Sequence, residues 1–79
     1  MMTHKEYICS KLRYEVQRFL RKPDYSCNKM RYFYDKAMYH GEFTLAMSIR
    51  RIVDACSRGE LRTAYYYLNQ LVRSRKRCP

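Results

Sequence analysis

The two glycines of this 79-residue chain both open the same six-residue pattern. Gly41-Glu42-Phe43-Thr44-Leu45-Ala46 and Gly59-Glu60-Leu61-Arg62-Thr63-Ala64 share Gly-Glu-apolar-x-x-Ala, 18 residues apart. Glycine accepts the left-handed backbone that closes a helix. The glutamate then stands at the positive end of the next helix. The small alanine, one turn further on, lets two helix backbones approach closely. The pattern predicts consecutive helical hairpins, in which short connections make neighbouring helices antiparallel. The interval is 18 residues, against about 34 for a tetratricopeptide, so each unit is one helix.

Other local signals extend this to an all-α fold of four short helices. Thr3 and Glu6 form a Thr-x-x-Glu capping box. Behind it Ile8, Leu12, Val16, Phe19 and Leu20 make an apolar stripe, and Pro23 stops the helix, predicting α-helix over 4–21. A second helix is expected to cap at Asp24–Ser26, carry Met30, Phe33, Tyr34, Ala37 and Met38, and end near His40. The third starts around Glu42 with Phe43, Ala46, Ile49, Ile52, Val53 and Cys56 on its apolar side. The fourth runs from Glu60 with Leu61, Ala64, Tyr65, Leu68, Leu71 and Val72. Residues 1–72 thus read as one helical domain. Residues 73–79 read as a basic tail expected to fray, since Arg73, Arg75, Lys76 and Arg77 put four charges into five residues.

Composition narrows the class. Hydrophobic residues make up 47% of the chain, too many for a disordered basic tail despite a net charge of +10. A chain this short has no room for separate cofactor and substrate domains. No apolar run approaches the roughly 18 residues needed to cross a bilayer. A secretory leader is not expected, because no apolar stretch follows the charged start. A cytoplasmic protein is the expectation. Cys9, Cys27, Cys56 and Cys78 would pair as two disulfides in an exported protein, but in a reducing compartment they are expected to be free thiols. Their spacing does not suit zinc, and no other metal or cofactor is implied. His4 and His40 lie far apart, and His40 is expected to be favoured in its charged form by a helix C-terminus. The acids, Glu6 through Glu60, read as caps or helix-surface partners, Asp54 with Arg50 or Arg51 among them. There is no nucleophile elbow or phosphate loop, and the chain reads as a non-enzyme.

The charge is uneven. Residues 1–22 carry six basic and two acidic side chains, residues 59–79 five and one, and the 36 residues between them add only +2. Two basic ends around a near-neutral middle point to two surfaces with different tasks. Nine tyrosines accompany the charge, and Tyr65-Tyr66-Tyr67 on one helix must expose at least one ring. Exposed tyrosine, methionine and arginine suit a protein interface, and tyrosine also suits base stacking.

The stretch Tyr34-Asp35-Lys36-Ala37-Met38-Tyr39-His40-Gly41-Glu42-Phe43, continuing through Thr44-Leu45-Ala46-Met47-Ser48-Ile49-Arg50-Arg51-Ile52 to Val53-Asp54-Ala55-Cys56, resembles the AraC negative regulator family of enteric bacteria and their mobile elements. The opening from Tyr7 to Arg13 is similar to that family's N-terminal segment. The resemblance covers about two-thirds of the chain and is strongest over 31–59. The tail has no counterpart in it. What it implies is a cytoplasmic regulator that binds AraC-type virulence activators directly, blocking their dimerisation or promoter engagement. For some relatives it also implies contact with nucleoid proteins of the H-NS type.

The residues offer a way to do this. Helices two and three would present Tyr34, Met38, Phe43, Ile49 and Ile52 to a partner or to a second copy of the chain, with Arg50 and Arg51 flanking the patch. For Phe43, Ile49 and Ile52, plain core positions are the competing reading. The rival function is a basic DNA- or RNA-binding accessory protein of phage or plasmid origin, using Lys11, Arg18, Arg73, Arg75, Lys76 and Arg77. A helix-turn-helix reading is disfavoured, because Glu42, Phe43, Leu45 and Ala46 at the start of helix three read base edges poorly.

Overall fold

The computed structural model describes residues 2–73. They form four α-helices, α1 (His4–Arg21), α2 (Pro23–Tyr39), α3 (Phe43–Ser57) and α4 (Leu61–Val72). Each helix packs on the next, and α1 also packs on α4, so the antiparallel hairpins close into a bundle. The core is drawn from all four, with Ile8, Leu12, Met30, Leu45, Ile49, Ile52 and Leu68 fully buried.

The helix ends follow local chemistry. The capping box is formed: the Glu6 amide donates to Thr3 Oγ1 at 3.1 Å and the Thr3 amide to Glu6 Oε1 at 2.9 Å. Pro23 stops α1 and also starts α2 as its first helical residue, leaving Lys22 alone as the connection. The expected cap at Asp24–Ser26 is therefore displaced. Asp24 lies in the first turn, and Ser26 is fully buried.

The two glycine junctions are built alike. Gly41 and Gly59 both have φ of +74°. The Glu42 amide donates to the Ala37 carbonyl at 2.8 Å and the Glu60 amide to the Ala55 carbonyl at 2.9 Å. The glycine amides reach Met38 and Cys56 in the same way, completing two Schellman closures. Ala37, Ala46, Ala55 and Ala64 recur every nine residues, and all four are fully buried. Two of them end helices and two begin them, so small side chains stand on both sides of each turn.

Three expectations about the core are corrected. Leu20 is exposed rather than part of the α1 stripe. Phe43 is exposed at the start of α3, while Leu45 takes the core position beside Ala46. Glu15 is not a surface partner: it is buried on α1, accepts a hydrogen bond from Ser26 Oγ at 2.9 Å and lies 3.5 Å from Arg18. This polar link ties α1 to α2 beside their one-residue connection.

The cysteines are also corrected. Cys27 and Cys56 are joined by a disulfide across α2 and α3, their Cα atoms 5.9 Å apart. Cys9 is disulfide-bonded as well, and no described cysteine is free. The α2–α3 hairpin puts positions 29 residues apart in sequence side by side, which spacing alone does not reveal. Arg31 donates to Ser57 Oγ at 3.2 Å, a second tie between the same helices. No described helix is long and apolar enough to cross a membrane.

Candidate functional site: an aromatic–basic face and an apolar corner

Tyr7, Lys11, Tyr14 and Arg18 on α1 follow the spacing Tyr-x3-basic-x2-Tyr-x3-basic. Tyr25, Lys29, Tyr32 and Lys36 on α2 repeat it 18 residues later. Steps of four, three and four residues keep each set on one side of its own helix. The antiparallel hairpin then lays the two sets side by side, and all of them but Lys36 line one open groove.

Cations and rings interleave along this face. Lys11 stands over Tyr7, Lys29 over Tyr25 and Tyr32, and Lys36 over Tyr32, each within 6 Å of the ring centre. Arg18 crosses between the helices. Its guanidinium lies 4.7 Å from the Tyr14 centroid and 4.8 Å from that of Tyr25 while also reaching Glu15. Hydrogen bonding to Arg18, more than its charge, holds the Tyr14 phenol below its ordinary pKa, and the same bond raises that of Arg18. At the α1–α2 junction the groove continues past Arg21 and Lys22.

This face revises the division of charge into basic ends and a near-neutral middle. Folding brings Lys29 and Lys36 from the middle of the chain beside Lys11 and Arg18. Of the expected nucleic-acid residues, Lys11 and Arg18 are on the face, Arg73 is exposed after α4, and Arg75, Lys76 and Arg77 lie outside the described residues. Charge counted along the chain does not single out Tyr7, Tyr14, Tyr25, Lys29, Tyr32 and Lys36. The signal that finds them is the 18-residue repeat, the same interval that separates the glycines.

The second surface is a corner where α2 turns into α3. Tyr39 is 86% exposed, Phe43 59% and Met47 50%, and Met38, next to Tyr39 in sequence, is exposed as well. Of the residues expected to face a partner, Met38 and Phe43 are exposed and Tyr34 is half-buried. Ile49 and Ile52 are fully buried core residues and cannot present themselves, because α3 turns that side toward the bundle interior. Arg50 and Arg51 are exposed, but both already have internal contacts. Arg50 donates to Asp54 Oδ1 at 3.2 Å and lies over the Tyr34 ring, and Arg51 stands 4.4 Å from the Tyr67 centroid. The Asp54 hydrogen bond, then the Tyr34 one, raise the pKa of Arg50.

His40 also departs from expectation. It stacks on His4, and loss of hydration, followed by the charges of His4 and Lys36, lowers its pKa. The neutral ring is favoured, against the helix-end effect. Among the described residues, no group of three or more His, Cys, Asp or Glu is placed to hold a metal ion.

Fold and surfaces together define a small closed four-helix bundle with an aromatic–basic face and an exposed apolar corner. The chain matches no protein-family model, no curated protein and no solved structure.

Proposed function

We propose that the chain is a small negative regulator of transcription that binds an AraC-type activator and blocks its dimerisation or DNA binding. The observation that supports this reading is the exposed apolar corner of Met38, Tyr39, Phe43 and Met47. Exposed methionine and aromatic side chains of this kind have the composition of an interface core. The corner is built by the same segment that resembles the AraC negative regulators. Ile49 and Ile52 are buried in the core, so the contact surface is smaller than the sequence alone implied. Nucleoid proteins of the H-NS type and a second copy of the chain are other occupants that the same chemistry would accept.

The test is affinity capture from a nuclease-treated enteric lysate at moderate salt, followed by titration against the purified activator. The expected result is a complex that persists at moderate salt and is weakened at least about tenfold by Phe43→Asp with Met47→Asp. Absence of an activator from the captured material, or unchanged affinity in that variant, would overturn the reading. Both positions are exposed, so helix content should be retained, whereas Ile49→Asp would report only on the core.

A further inference from the structure

We infer that the α1–α2 face binds single-stranded nucleic acid, its tyrosines stacking on unpaired bases and its interleaved lysines and arginines meeting the phosphates. This goes beyond the protein contact at the α2–α3 corner and does not depend on it.

Charge complementarity identifies a polyanion. Lys11, Arg18 and Lys29 line the groove, and Arg21 and Lys22 line its continuation. Glu15 is the one carboxylate among the described lining residues, and it is buried and engaged by Ser26 and Arg18. The field over the face is therefore positive along its length. An acidic protein segment would satisfy those charges too, and polyglutamate is the competitor that separates it from a nucleic acid.

The rings identify bases. Tyr14, Tyr25 and Tyr32 are all exposed on the same face. Tyr7 and Tyr14 each have a single cation over the ring, which leaves a ring side to a base, and Tyr25 and Tyr32 flank them with two cations each for the phosphates. A positive groove with interleaved stacking aromatics is the sequence-tolerant way to hold a single strand. A duplex keeps its base faces paired and stacked, and two helices lying side by side present no projecting element to its groove. The cation–ring contacts also hold these side chains before any ligand arrives, which reduces the ordering cost of binding. From Tyr7 to Arg18 the face runs about 16 Å at ~1.5 Å per residue. That is room for about five nucleotides at ~3.4 Å each.

The experiment titrates the full chain into a fluorescein-labelled oligo(dT) of roughly 12 nucleotides, read by anisotropy at about 50 and 200 mM salt. A duplex of equal length and polyglutamate serve as competitors, and circular dichroism checks each variant's fold. Binding of the single strand is expected to fall steeply with salt. Tyr14→Ala and Tyr32→Ala should each weaken it roughly 5- to 100-fold, while Tyr14→Phe and Tyr32→Phe keep it. Lys11→Gln with Lys29→Gln should reduce the slope of log K against log salt by about 1.4. The inference fails if the strand does not bind at the lower salt, or if duplex or polyglutamate competes equally well. It fails too if the alanine variants bind like the parent, including where neutralising Arg75, Lys76 and Arg77 alone abolishes binding.

Discussion

His4 and His40 stack ring on ring, centroids 3.6 Å apart and planes within 10°, so the start of α1 is fastened to the end of α2. The His40 pKa is lowered, chiefly by lost hydration and then by the charges of His4 and Lys36. Below the ordinary histidine value of about 6.5, the unfolded chain then binds more protons at this site than the folded one. The stabilising effect is complete above that value and is lost as pH falls through the lowered folded pKa. Thermal melts between pH 8 and pH 5 should show this loss, and His40→Gln should flatten the curve. A variant that parallels the parent across the range would remove His40 from this role.

The buried Glu15–Ser26 pair gives a second expectation. Ser26→Ala takes one of two partners from a buried carboxylate and leaves it Arg18 alone, at a cost of about 1–3 kcal/mol. Adding Glu15→Met removes the under-partnered buried charge and should recover part of that loss. Urea unfolding of both variants checks the order; a double variant weaker than the single one would contradict it.

Cross-linking Cys27 to Cys56 closes a segment of 29 residues. In the chain-entropy account a loop of that length stabilises by about 3–4 kcal/mol. Replacing both residues by serine should lower the melting temperature by roughly 10 °C or more. Equal melting of the parent and the double serine variant would show that the cross-link contributes nothing.

Gly41 and Gly59 should respond alike to alanine. Each sits at φ +74°, and a Cβ at either position would meet nothing within 4 Å. The cost is then that of the left-handed backbone alone, about 1–2 kcal/mol per site. The turns are separate, so the double variant should lose about the sum. A markedly larger loss at one site, measured by denaturant unfolding, would mean that its turn does more than reverse the chain.

Helix ends and helix count were legible because their causes are short-ranged. Thr3 and Glu6, Pro23, Gly41 and Gly59 each act within a few residues, and the structure keeps α1 where the capping box and Pro23 place it. Core positions were legible where the apolar stripe was unambiguous, as at Leu12, Ala46 and Leu68. Reading failed where two faces competed. Leu20 and Phe43 are apolar but lie beyond the packed sides of their helices, while Glu15 lies inside because Ser26 and Arg18 supply it with partners. The apolar corner was half legible: Met38 and Phe43 read as apolar positions like Ile49 and Ile52, and only packing separates the exposed pair from the buried one.

By itself the sequence determined four helices, their ends and the reversals between them. Capping, proline and glycine chemistry depends on neighbours in the chain. Tertiary structure decided everything that needs two helices side by side. The Cys27–Cys56 bond, the His4–His40 stack, the Glu15–Ser26 hydrogen bond and the Arg18 bridge between Tyr14 and Tyr25 all join residues from different helices. The 18-residue repeat spans both domains of cause. It was present in the order of residues, but only antiparallel packing of α1 on α2 turned two copies of a spacing into one surface.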